Sequence, residues 1–332
     1  MALRLVEAFV PERVAEDARE TLAGAGAHAV WAEVPAPGEA LLRAVFGASR
    51  SGAALDALHE RFHGIDGFRV LVLPLDASLP RPRAGGSADE RQAARTAAGV
   101  SREEVYAKIS EGAELSWDFV WMALLSTVVA AVGLVTDNAP AVIGAMVVAP
   151  LLGPNVALAL GLTLADTALT RAAIRTNLVG IAVAFGTAFT LGVLFSVDPT
   201  IPEMASRTQV GLLDLVLALA AGCAGALAYT TGAPTYLIGV MVAVAILPPT
   251  VASGLLLGDG HMREGLGALV LVLTNVTAVN LVSMATLLAK GMRPRTWWRA
   301  ERARESARRG LLGWLGTLVL LAVALMLSRR FG

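Results

Sequence analysis

Two kinds of residue in this chain could carry chemistry. The first is His59-Glu-Arg-Phe-His63, a literal His-Glu-x-x-His. On a helix that spacing sets two imidazoles one turn apart, where they can ligate zinc while the glutamate activates a bound water. The setting is poor. The predicted helix is short, its core face is marked by Leu55, Leu58 and Phe62, and no third ligand is obvious. His59 and His63 therefore read as solvated helix residues, with a metal or proton site in reserve. The second kind is a set of polar groups inside long apolar stretches: Asn155, Asn177, Asn275 and Asn280, with Thr163, Thr250 and Thr274. Polar groups at membrane depth face a partner helix or a cavity. Helix–helix hydrogen bonds of this kind contribute on the order of 1 kcal/mol each. Asn155 stands apart because it directly follows a Gly-Pro pair. No Lys, His or Glu lies near the middle of an apolar stretch, which favours neutral or backbone-coordinated cargo over a buried proton relay.

The elements that must position these residues are unusual. Residues 138–162 are apolar enough to cross a bilayer, which takes roughly 20 residues, yet they contain Pro140, Pro150 and Pro154, with Gly144 and Gly153. Proline removes an amide donor and clashes one turn back. In hydrocarbon the freed carbonyl has no water to turn to, so such a span must be covered by protein or line a wet cavity. A second stretch copies it: residues 237–249 align without gaps on residues 142–154. The Ile-Gly-x-Met core matches, Pro249 falls on Pro154, and Thr250 falls on Asn155. Paired Pro/Gly-interrupted segments in two halves are the best sequence pointer to a transporter binding site. The expected site is lined by Pro150, Gly153, Pro154 and Asn155 on one side and by Pro248, Pro249 and Thr250 on the other. Asn177, Asn275 and Asn280 stand nearby.

Composition agrees: of 332 residues 55% are hydrophobic and 16% charged, with no net charge. That is the profile of a membrane protein. Basic residues are not gathered into an aromatic-lined groove, which argues against nucleic acid. The single cysteine, Cys223, excludes an intrachain disulfide. Gly24-Ala-Gly26 follows a helix and lacks the third glycine of a dinucleotide fingerprint, and no Walker A sequence occurs. No enzymatic activity and no cofactor are expected. The first residues are too soon interrupted by Pro11 and Glu12 for a signal peptide.

In order, residues 1–78 read as a soluble ferredoxin-like α+β domain, βαββαβ. Strands are predicted at 3–10, 28–34, 40–46 and 68–75, with helices at 11–23 and 52–63. Residues 79–100 form a Pro/Arg/Ala/Gly linker. Residues 101–116 form an amphipathic helix, in which Ser101 and Glu104 make a capping box. Seven spans are predicted, at 117–135, 139–162, 176–197, 212–231, 233–257, 266–289 and 311–328. Six lie in a membrane domain, 117–291. Its halves, 117–197 and 212–290, have three spans each and so make an inverted repeat. A basic segment, 292–310, carries Trp297 and Trp298, and 311–332 holds the seventh span. With the N-terminal domain cytoplasmic, ten Lys/Arg fall in inside loops and four (Arg207, Arg263, Arg329, Arg330) outside. This places the C-terminus outside a plasma (inner) membrane.

Ile143-Gly-Ala-Met-x-x-Ala-Pro-Leu-x-Gly-Pro154, with Ile246-Leu-Pro-Pro249, resembles the signature of the uncharacterised hydrophobic domain family, domain of unknown function 389. The resemblance covers about residues 100–290. It implies a prokaryotic polytopic membrane protein, often carrying a small soluble domain, and no established activity.

The sequence therefore supports a transporter or channel for a small polar or anionic solute or ion, regulated by a cytoplasmic ligand-binding domain. The alternative is a membrane-anchored sensor or scaffold that does not transport. In either case the bilayer and a homo-oligomer are the expected partners.

Overall fold

The computed structural model describes residues 3–75, 102–231, 235–292 and 297–331. The chain divides into two compact units, residues 1–105 and 106–332.

In the first unit alternation builds the sheet. β1 (Leu3–Pro11) turns Val6, Ala8 and Val10 to the core, and β3 (Glu39–Gly47) adds Leu42, Ala44 and Phe46. Between them come α1 (Ala15–Gly24) and β2 (Ala29–Ala36); α2 (Ala48–Phe62) and β4 (Arg69–Leu75) follow. The sheet is antiparallel throughout in the order β2-β3-β1-β4. One core takes Ala18 and Leu22 from α1 and Leu55, Leu58 and Phe62 from α2. The β2–β3 hairpin turns at Gly38, whose φ of +85° suits a residue without Cβ. On the outward side Arg43 pairs with Glu7 and Glu33, each at 2.7 Å. Arg4 bonds both carboxylate oxygens of Glu104, at 3.1 and 3.2 Å. Glu104 belongs to α3 (Arg102–Glu111). Its expected capping partner Ser101, like the linker, lies outside the described residues.

The second unit is helical. After α3 come α4 (Trp117–Val135), α5 (Ala139–Val148), α6 (Leu152–Leu164) and α7 (Thr167–Leu194), then the short α8 (Pro202–Ala205). α9 (Leu212–Thr231), α10 (Thr235–Gly258), α11 (Met262–Ala289) and α12 (Trp297–Phe331) complete it. Among the described residues four helices, α4, α7, α9 and α11, are long and apolar enough to cross a membrane, or five if α5 and α6 count as one broken span. Their outward faces carry large apolar side chains such as Trp121, Leu125, Leu178, Val193, Val216 and Leu273. The basic segment from Trp297 and the last apolar stretch share one helix, α12.

The two proline-bearing stretches differ. The first is broken: α5 and α6 are bent by 52° about residues 149–151. The second, expected to be broken as well, is continuous, with Pro248 and Pro249 inside α10. The reason lies in a neighbour. Pro249 has no N–H for the Ala245 carbonyl, and Asn275 of α11 donates its Nδ2 there instead, at 2.7 Å.

Glycine lets the helices approach closely, as membrane bundles require. A Cβ on Gly222 of α9 would lie 2.6 Å from the Val279 carbonyl oxygen of α11. There Ser283 also donates to the Gly222 carbonyl, at 3.0 Å. Gly222→Leu should therefore cost about 1–3 kcal/mol through overpacking, measured as a fall in the thermal or SDS unfolding midpoint of the detergent-solubilised protein. An unchanged midpoint would contradict this crossing.

Candidate functional site

The break borders a shallow, open depression of about 380 Å³. Ala149, Pro150, Leu152 and Gly153 form one wall. Ser116, Asp118, Phe119 and Met122 of the start of α4 form another, and Glu111, Gly112 and Glu114 close a third. Tyr229 of α9 also reaches in.

Local sequence explains each wall. Proline at 150 ends α5, and Ala149 is already extended, with ψ 121°. Ser116 caps α4 by accepting from the Phe119 amide at 3.1 Å. Gly153 and Gly112 touch backbone to backbone: a Cβ on Gly153 would sit 2.8 Å from the Gly112 carbonyl oxygen. Thr176 of α7 holds the next residue, donating to the Ala113 carbonyl at 2.7 Å. Tyr106 on α3 donates to Asp166 Oδ2 at 2.7 Å, and Asp166 Oδ1 caps α7 through the amides of Ala168 and Leu169. The bond to Asp166, then burial, raises the Tyr106 phenol above its ordinary value.

The cavity is negative. Glu111, Glu114 and Asp118 line it with no Lys, Arg or His among its described walls. The N-terminal end of α6 faces it at Leu152 and Gly153, offering a partial positive charge of roughly half a unit, less than three carboxylates supply. All three carboxylates are exposed, so the mouth of the depression favours cationic over anionic groups only as strongly as a screened surface charge can.

Of the expected site residues, Pro150 and Gly153 line the cavity. Pro154 and Asn155 are buried one turn further into α6, and Pro248, Pro249 and Thr250 are buried in α10. Asn155 donates back to the Leu151 carbonyl at 2.8 Å, and Thr250 does the same to Ile246 at 2.7 Å. These are equivalent bonds at aligned positions. Asn280 of α11 donates to Asn155 Oδ1 at 3.1 Å and to the Val276 carbonyl at 2.9 Å. The structure thus brings Asn155 and Asn280 together, with Asn280 fully buried. Among the described residues, Asn280 Oδ1 and Asn275 Oδ1 are buried acceptors without a donor. Asn177 turns back onto its own helix, bonding the Ala173 carbonyl at 3.0 Å.

Sequence reading missed the three carboxylates. Their signal was position: acidic residues just before the first span, in the turn that the broken helix reaches. In the first unit His59 and His63 lie exposed, with ring centroids 5.2 Å apart. His63 Nδ1 bonds the His59 carbonyl at 2.9 Å.

The family described as "Domain of unknown function (DUF389)" matches residues 146–281, from the end of α5 through most of α11. The whole chain is similar to an uncharacterised protein of Methanocaldococcus jannaschii. The two are 30% identical over 327 residues, which is 98% of this chain and 99% of that one. No solved structure matches.

Two outcomes follow from this geometry. Asn280→Ala leaves the Asn155 oxygen without a donor and should cost about 1–3 kcal/mol. The Asn155→Ala/Asn280→Ala pair should cost less than the two single changes summed, because both partners leave together. Unfolding midpoints check this, and strict additivity would contradict it. Tyr106 has a raised pKa, so its contribution is full below the ordinary phenol pKa of about 10 and fades as pH rises through the raised value. Tyr106→Phe should remove that alkaline step from a melting-temperature profile; a step of unchanged size would show that it arises elsewhere.

Proposed function

The chain belongs to the DUF389 family, and from that premise we propose that it is a multi-pass integral membrane protein that passes a small polar solute or cation. The observation that carries this reading is the span broken at 149–151, with its free ends facing a charged cavity. In hydrocarbon, irregular backbone is tolerated only where protein or water covers it. Of the small polar or anionic solutes or ions expected, the reading favours a polar or cationic one, because Glu111, Glu114 and Asp118 line the depression.

An inverted repeat organises the bundle. α4, α5–α6 and α7 form one copy, and α9, α10 and α11 the other. The ungapped alignment of 142–154 with 237–249 supports it, as do the matched back-bonds of Asn155 and Thr250. Packing supports it too. The middle helix of each copy meets the last helix of the other: α6 with α11, and α10 with α7. Counting α10 and α12 as crossings gives seven spans, with the N-terminus inside and the C-terminus outside. We read the N-terminal unit as a ferredoxin-like regulatory domain. Its element order, its strand order 2-3-1-4 and its one-sided core support that reading.

One observation favours a non-transporting scaffold: Pro248, Pro249 and Thr250 are buried without bordering this cavity. A flux assay separates the two readings. Proteoliposomes of the full chain should pass at least one of sodium, potassium, ammonium, choline or glycerol faster than empty vesicles. Asp118→Asn with Glu114→Gln should slow a cationic permeant severalfold and leave glycerol unaffected. No acceleration for any of the panel would contradict transport and leave the scaffold.

A further inference from the structure

The two proline breaks are in different states, and one pair of asparagines marks the difference. In the second copy Asn275 reaches across from α11 and donates to Ala245, the carbonyl that Pro249 cannot serve. Aligned on Ala245 in the first copy is Pro150, whose carbonyl loses its helical donor because Pro154 follows four residues later. Among the described residues no protein donor is placed on the Pro150 carbonyl, and Pro150 borders the cavity. Thr176-Asn177 in the last helix of the first copy corresponds to Thr274-Asn275 in the second. Asn177 is therefore the counterpart of Asn275. Here it is satisfied on its own helix, at Ala173, four residues back.

Asn177 stands where the exchange could occur. Its neighbour Thr176 bonds Ala113, adjacent to the Gly112 that touches Gly153. One turn on, a Cβ at Gly180 would lie 3.4 Å from the Leu151 side chain. Asn177 is thus flanked by contacts to the break at Leu151 and, through Gly112, to its C-terminal side at Gly153.

We propose that Asn177 and Asn275 are the two throws of one conformational switch. In the structure the second break is sealed by Asn275 and the first is open. In the alternate state Asn177 donates to the Pro150 carbonyl and closes the first cavity. Asn275 then falls back on Leu271, four residues earlier in its own helix, and the second break opens. Every donor keeps an acceptor in both states, so the exchange makes and loses the same kinds of bond. A bistable element of this sort is what alternating access needs. The inference rests on the repeat and transport reading above.

The chain has one cysteine, which makes a reporter simple. In a Cys223→Ala background, Val147→Cys, which borders the depression and is exposed, is labelled with a membrane-impermeant thiol reagent in proteoliposomes open at both faces. Asn275→Ala removes the seal on the second break and should slow labelling at least severalfold. Asn177→Ala removes the means of closing the first and should speed it. The double change should return the rate toward that of the reporter alone. Unchanged rates, or both single changes moving labelling the same way, would overturn the switch. If Asn275→Ala does not assemble, Asn275→Ser decides in its place by the same signs. Labelling needs no flux. Opposite shifts without transport keep the switch and reject the transport reading, whereas flux with unaltered labelling rejects the switch alone.

Discussion

A carbonyl stripped of its donor cannot turn to solvent inside a bilayer. This chain creates that problem repeatedly, with Pro150 and Pro154 in one stretch and Pro248 and Pro249 in another. Much of the bundle's internal chemistry answers it. Asn275 serves Ala245, while Asn155 and Thr250 reinforce the carbonyls four residues behind them. The break at 149–151 ends on a cavity instead of being sealed.

From that constraint the packing follows. Side chains can reach a neighbouring backbone only where helices lie close, and glycine permits the approach at Gly222 and at Gly112 against Gly153. The Asn155–Asn280 bond joins α6 to α11. The polar residues of the bundle are concentrated along these helix seams, while the outward faces of α4, α7, α9 and α11 are apolar. An open depression edged by exposed carboxylates remains where α3, α4 and the broken span converge.

Much of this was legible in the sequence because its signals are local. The strands expected at 3–10 and 40–46 appear as Leu3–Pro11 and Glu39–Gly47, and the apolar runs 117–135 and 212–231 form helices with those same bounds. Pro150 and Gly153 were legible as cavity residues because a broken span must open somewhere. What escaped was tertiary. Two adjacent prolines predict a break, yet α10 is continuous, and a side chain from 30 residues away supplies one of the two missing donors, at Ala245. Glu111, Glu114 and Asp118 gave no motif, since only the fold of the α3–α4 turn brings them to the break. The Asn155–Asn280 bond spans 125 residues, and no pattern of spacing announces it.

Of the two proline-bearing stretches, 142–154 meets water at its break and the continuous 237–249 does not. Cysteine scanning through 142–158 and 242–254 in a Cys223→Ala background, with an impermeant thiol reagent on the reconstituted protein, tests it most directly. Strong labelling is expected at Val147 and Pro150, with protection at Val142 and Val156 and throughout 242–254. Equal labelling of both segments, or none in either, would contradict it.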